Sequence, residues 1–203
     1  MDLLELKASW RRGERPEFLA YWGHDESRPN DLTRACLSHW YTAPFELDGE
    51  AFATVEHFLA AEAARCIAFE APMEDERESQ QSKWRVDALR ERILAAPSPG
   101  EARGALPDLK GEAAAAWAAR RYEAAVQGNG AKFRARPELA NFLLATEERV
   151  LVMASPFDRV WGVGIEAGDE RCEDPTRWRG ENLAGFALME VRAELRLRPP
   201  TTM

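Results

Sequence analysis

Apolar positions recur at helical spacing over most of the chain and alternate in only a few short runs. Phe18-Leu19-Ala20-Tyr21-Trp22 reads as a strand ending at Gly23-His24, and a polar loop over 25–35 follows, broken by Pro29 and Asn30. Phe45-Glu46-Leu47 and Ala51-Phe52-Ala53 flank Asp48-Gly49, a pair that accepts the positive φ of a tight hairpin turn. A helix is predicted over about 55–68. Residues 70–82 lack an apolar period and read as a loop or an exposed helix start. Trp84 to Leu94 is helical and stops at Ala96-Pro97-Ser98-Pro99. There Ser98 and Glu101 offer a capping box, with Pro99 at the first position of a short helix. An alanine-rich helix over 112–126 ends at Gly128-Asn129-Gly130, and Ala131-Lys132-Phe133 forms a further turn. Pro137 to Ala145 is helical, and Arg149 to Met153 is a short strand closed by Ala154-Ser155-Pro156. A loop-rich stretch over 155–180 precedes a last helix over 181–196, stopped by Pro199-Pro200. The expectation is a mainly α (α+β) fold: a single compact helical domain with a few short strands over 17–198, behind a polar lead-in over 1–16. Without a βα alternation a doubly wound sheet is not expected.

Composition narrows the class. A chain of 203 residues with 45% hydrophobic and 31% charged residues suits one globular domain with a sizeable core. No run reaches the roughly 18 apolar residues of a membrane helix. Met1 to Glu5 is acidic and lacks a signal-peptide pattern, so a cytoplasmic address and no membrane partner are expected. A net charge of -8 argues against a broad nucleic-acid-coating surface, though not against one nucleotide held in a pocket. Cys36, Cys66 and Cys172 are far apart and fit reduced thiols. His24, His39 and His57 show no metal-ligand spacing, so neither metal nor cofactor is expected. Gly162-Val163-Gly164 lacks the strand-turn-helix setting of a dinucleotide fingerprint.

The stretch with chemical promise is Thr54-Val55-Glu56-His57-Phe58-Leu59-Ala60-Ala61-Glu62-Ala63. A carboxylate and an imidazole stand side by side in the first turn of an apolar helix. Glu56 in that turn is either a capping residue or a reactive carboxylate.

What shifts the balance is a series of ordered blocks. They are Tyr21-Trp22-Gly23-His24; Leu37-Ser38-His39-Trp40-Tyr41 with Ala43-Pro44-Phe45 and Asp48-Gly49; Thr54 to Phe58; Ala96-Pro97-Ser98-Pro99; and Trp117. Gly128-Asn129, Ala131-Lys132-Phe133, Ala154-Ser155-Pro156, Asp158, Val160 to Gly164, Trp178, Gly180, Asn182-Leu183, Gly185 and Ala187-Leu188-Met189 follow. Together, over about 18–195, they resemble the NADAR (YbiA-like) family. The resemblance implies a mainly helical fold and hydrolysis of an N-glycosidic bond. The ligands it implies are ADP-ribose-like: ribosylaminopyrimidine intermediates of riboflavin synthesis, or ADP-ribose on a guanine base, which admits ADP-ribosylated nucleic acid as a partner.

Breaking an N-riboside bond creates an oxocarbenium-like ribose, so a carboxylate must stabilise that cation or activate water. By resemblance Glu56 is the catalytic candidate, and Trp117 and Trp161 are aromatic walls, each with core packing as the structural alternative. Asp158 is placed to hold ribose hydroxyls or to shape its own turn. Lys132, beside Asn129, meets a phosphate or is a solvated lysine. Asn182 is a ligand or a helix cap. Trp22, Ser38 and Trp40 belong to the mouth of the site, and His57 orients a neighbour or takes a proton.

Three departures from the family pattern bear on activity. Where the family continues to Gln-Lys, this chain has Glu62 and Ala63. Position 63 lies seven residues beyond Glu56, on nearly the same face, and alanine cannot form the Schiff base that the family lysine implies. Pro107 stands where the family often has Arg, and Met153 where it has an acidic group. Arg65, Arg103 and Lys110 remain as candidate rescuers of the lost groups. Three functions stay open: an N-glycosidase using Glu56, a catalytically weakened ADP-ribose or nucleotide-binding module, and a helical interaction protein with no small-molecule site.

Overall fold

The computed structural model describes residues 1–25, 31–67 and 76–198. Seven α-helices and four short strands occur among them, the mainly helical architecture expected. They fall into two units, one of residues 1–41 and 133–203 and one of residues 42–132.

The first unit begins with α1 (Leu3–Arg11), so the polar lead-in is helical. Asp2 accepts the Glu5 N–H and Glu5 reaches back to the Asp2 N–H, a complete capping box. Its Leu6 is buried, and Trp10 meets Phe18 edge-on at 5.9 Å. β1 (Phe18–Tyr21) and β4 (Val150–Met153) pair in parallel, with Phe18 opposite Val150 and Tyr21 opposite Met153. Val150, Leu151 and Val152 are all buried, as a strand covered on both faces requires. α7 (Leu183–Leu197) packs on β4, and α6 (Pro137–Leu144) packs on α7. Gly185 makes the α7–β4 approach feasible: a Cβ there would lie 2.1 Å from the Leu151 carbonyl oxygen. Arg192 of α7 is buried and donates to Thr146 Oγ1 and the Arg149 carbonyl, which fixes the turn leading into β4. Short 3₁₀ turns occupy Arg34–Leu37, Glu170–Glu173 and Pro175–Arg177. The thiols of Cys36, Cys66 and Cys172 form no disulfide and are buried, and burial pushes those of Cys66 and Cys172 up.

The second unit opens with the predicted hairpin. β2 (Phe45–Leu47) and β3 (Glu50–Phe52) pair antiparallel across Asp48 (φ 53) and Gly49 (φ 80). Two consecutive positive φ values match the right-handed strand twist, and Asp-Gly tolerates them. Phe45 and Phe52 stack at 5.6 Å, and Phe58 of α2 (Val55–Cys66) meets Phe52 edge-on at 5.1 Å. α2 packs against α3 (Glu76–Leu94) and α4 (Pro99–Ala105), which also pack on each other. Of the two readings of 70–82, the helix start holds from Glu76 onward, with Gln80 and Gln81 exposed; 68–75 lie outside the described residues, as do Pro29, Asn30 and the stop at Pro199-Pro200.

One expectation is overturned. Gly128-Asn129-Gly130 does not end a helix: α5 runs unbroken over Gly111–Ala135. Glycine costs about 1 kcal/mol in a helix interior. Gly128 is nonetheless required, because a Cβ would lie 2.6 Å from Phe58 Cδ1 and 3.3 Å from Val55 Cγ1. The residue is a contact surface for α2, and the lost propensity is offset by that close packing.

Candidate active site

Thr54 starts the candidate site. Its backbone is extended (φ -146) and its hydroxyl accepts the His57 N–H, so α2 begins at Val55 with Glu56 in its first turn. The apolar residues behind them bury that turn: Val55 is fully buried and Glu56 is 4% exposed. A carboxylate at that depth needs a counter-charge, since removing it from water disfavours the charged form. Arg103 of α4 supplies one, with its Nη1 3.3 Å from Glu56 Oε1. The two sides differ: 53% of the Arg103 side chain is exposed against 6% of the Glu56 side chain.

His57 explains how α4 is brought there. Its Nε2 lies 3.0 Å from the Ala96 carbonyl oxygen and its Nδ1 2.8 Å from Thr54 Oγ1. A carbonyl can only accept, so Nε2 carries the proton, and a neutral ring takes the Thr54 hydroxyl proton at Nδ1. Both ring nitrogens are thereby occupied by protein. His57 thus ties the start of α2 to the turn before α4, which fits the orienting role among its two readings. At that turn Ser98 accepts the Glu101 N–H and its hydroxyl donates to the Glu101 carboxylate, with Pro99 in the first helical turn. The resulting helix carries Arg103 in its last turn, where the negative end of the dipole favours a cation.

Two further carboxylates of this unit, Glu62 and Glu50, have arginine partners of their own. Glu62 pairs with Arg65 at 2.8 Å and Arg120 at 3.4 Å. Arg65 also reaches Glu50, which Arg90 holds at 2.7 Å; these guanidiniums, Arg90 foremost, keep the Glu50 carboxyl below its usual range. Arg65 is thus committed to Glu62 and Glu50, and Lys110 is exposed. Ala63 is buried and brings no amine to the Glu56 face of α2.

On α5, Trp117 is half-buried. Asn129 and Lys132 do not follow a helix end, because α5 continues past them, and both are completely buried. The solvated-lysine reading of Lys132 therefore fails: it stands one turn beyond Gly128, on the same buried face. Asn129 donates to the Ala125 carbonyl at 2.8 Å.

The remaining candidates lie in the first unit. Trp22 follows β1 and is 55% exposed. Trp40 is half-buried with its ring 5.5 Å from His24, and Ser38 Oγ accepts the Trp40 N–H. Trp161 is buried and meets His39 edge-on at 5.2 Å. Asp158 shapes its own turn, Oδ1 accepting the N–H groups of Val160 and Trp161. Asn182 stands at the cap position of α7 in the left-handed region (φ 56), but makes no capping bond. Its Oδ1 accepts the Met153 N–H and its Nδ2 donates to the Leu151 carbonyl, each at 2.9 Å. The amide thus takes the place of a neighbouring strand along the open edge of β4.

The NADAR domain model matches residues 21–196, most of the chain. The chain belongs to the NADAR domain family. Among curated proteins, this NADAR chain is 44% identical over 64 residues to "Protein irg-1" of Caenorhabditis elegans, covering 32% of the chain and 30% of that protein. It is 36% identical over 78 residues to "N-glycosidase R617" of Acanthamoeba polyphaga mimivirus (38% of the chain, 46% of that protein). It is 34% identical over 79 residues to the chloroplastic "Riboflavin biosynthesis protein PYRR" of Zea mays (39% of the chain, 11% of that protein). The matches thus span less than half the length of each relative. The NMR structure of the E. coli protein YbiA superimposes with a TM-score of 0.61 at 21% identity, covering 94% of this NADAR chain and 91% of that one. At that identity the superposition speaks to the fold. No helix among the described residues is long and apolar enough to cross a membrane.

Arg103 is the site residue that local pattern alone did not place. It is one of several arginines in sequence, and its role rests on a contact across 47 residues.

Proposed function

We propose that this NADAR protein is an N-glycosidase that hydrolyses the N-ribosidic bond of an ADP-ribose or ribose-phosphate conjugate, using Glu56 as its reactive carboxylate. The observation that carries the reading is the buried Glu56 carboxylate at the start of α2, held by Arg103. Family membership and the likeness to an N-glycosidase support it. In the reaction Glu56 takes a proton from the water whose oxygen attacks the anomeric carbon. The carbon–nitrogen bond breaks, its electron pair leaves with the base, and the proton collected by Glu56 passes to the leaving nitrogen, which regenerates the carboxylate. Developing positive charge on the ribose faces a carboxylate already in place, so little reorganisation is needed. With Ala63 in place of an amine, the displacement is by water directly.

The alternative is an ADP-ribose or nucleotide-binding module without turnover. The buried Ala63 favours it, because no amine stands on the Glu56 face of α2 to attack the ribose carbon. Incubation with ribosylaminopyrimidine phosphates and ADP-ribosylated guanine, with free base detected by mass spectrometry, separates the two. Under the hydrolase reading base is released, and Glu56→Gln abolishes release while ligand still raises the melting temperature. Ligand-induced stabilisation with no release from any substrate establishes the binding module instead.

A further inference from the structure

We infer that Arg103 is the phosphate-binding arm of the Glu56 site, and that it couples binding of a phosphorylated ribosyl group to alignment of the carboxylate. The inference rests on the functional reading of Glu56 above and assigns the recognition element beside it.

A guanidinium carries five N–H donors in a planar fork. Among the described residues the hydrogen-bond partner of the Arg103 guanidinium is Glu56, reached through Nη1. Just over half of its side chain is exposed, whereas the carboxylate it holds is almost completely covered. Arg103 spans from a buried anion to the surface, and its outer donors face away from Glu56 among the described residues. The adjacent Gly104 has nothing within 4 Å of where a Cβ would stand, so the α4 surface next to Arg103 is open.

The planar fork matches phosphate in a two-pronged geometry that lysine, a point charge, does not reproduce. Phosphate on the outer donors and Glu56 on the inner one place two anions on opposite sides of one cation, where each is attracted to it. Binding of the phosphate then restricts the guanidinium, and through it Glu56 Oε1. The substrate class that fits is an N-riboside bearing phosphate on its sugar.

Two probes test this. Isothermal titration compares ribose 5-phosphate with ribose on the wild-type protein, Arg103→Gln and Arg103→Lys, with melting temperatures recorded to confirm folding. The wild type should prefer the phosphorylated sugar, Arg103→Gln should lose that preference by about tenfold or more, and Arg103→Lys should restore part of it. Turnover of a matched pair of N-ribosides, with and without phosphate, gives the second readout. Arg103→Gln should raise KM for the phosphorylated substrate, and Arg103→Lys should recover KM more fully than kcat, since charge without the fork binds but does not align. A wild type indifferent to phosphate, or a folded Arg103→Gln protein that keeps the preference, overturns the inference. The titration needs no turnover, so absence of base release refutes the glycosidase reading without touching the assignment of Arg103.

Discussion

Asn182 offers the sharpest test of how the first unit is held together. Its amide satisfies the Met153 N–H and the Leu151 carbonyl, both on the edge of β4 away from β1, and it is completely buried. Asn182→Ala removes both partners at once. A buried backbone group left unsatisfied costs about 1–3 kcal/mol. Alanine is also less tolerant than asparagine of the left-handed region, which adds about 1 kcal/mol. The sum is about 3–7 kcal/mol, a large share of the roughly 5–15 kcal/mol that holds a domain folded. A water in the vacated volume, bridging the two backbone groups, would bring the loss to the lower end. At about 2–4 °C per kcal/mol for a chain of this size, the melting temperature should fall by about 10 °C. Urea unfolding followed by far-ultraviolet circular dichroism measures the same quantity. Asn182→Asp should be no better at neutral pH, because it turns a carboxylate oxygen toward the Leu151 carbonyl. Protonation restores a donor there, so its deficit should shrink as the pH falls through the carboxylate range. A loss below about 1 kcal/mol for Asn182→Ala, with an unchanged denaturant slope, would refute the clamp.

Two further expectations follow from the second unit. Gly128→Ala gains about 1 kcal/mol of helix propensity but drives a methyl to 2.6 Å from a Phe58 ring that is itself packed against Phe45 and Phe52. Overpacking of about 1–3 kcal/mol should make it net destabilising, whereas Gly104→Ala, with open space around it, should raise the melting temperature. Glu50, its carboxyl held low chiefly by Arg90, contributes stability that is present above the unfolded carboxylate pKa and is lost as pH falls through the lower folded value. The gap in melting temperature between wild type and Arg90→Met should accordingly be largest near neutral pH and narrow on acidification; a gap that holds constant into acid would remove the charge argument.

Local signals were legible wherever a residue's conformation depends on near neighbours. Asp48-Gly49 demanded two positive φ values and produced the hairpin. Thr54 and Ser98 each accept the N–H three residues on, so the starts of α2 and α4 stand where capping chemistry put them. Ordered motifs over the length of the chain also carried the family, which the domain match over 21–196 shows.

Distance in sequence marks where legibility ended. Gly128-Asn129-Gly130 carries the local signal of a helix stop, and only the Phe58 and Val55 side chains reveal why glycine belongs inside α5. The parallel pairing of β1 with β4 joins residues 18–21 to 150–153, and no local pattern specifies a partner so far away. Sequence leaves His57 either to orient a neighbour or to take a proton until the Ala96 carbonyl appears on its Nε2, and leaves Lys132 either to meet a phosphate or to be solvated until its burial removes the second reading. The sequence by itself determined the hairpin, the capped starts of α2 and α4 at Thr54 and Ser98, and the carboxylate at the start of α2, because backbone preference and capping there are decided within a few residues. Tertiary structure alone decided that Arg103 meets Glu56 and that Asn182 completes the edge of β4, because a buried polar group takes its partner from whichever element packing brings within hydrogen-bond distance.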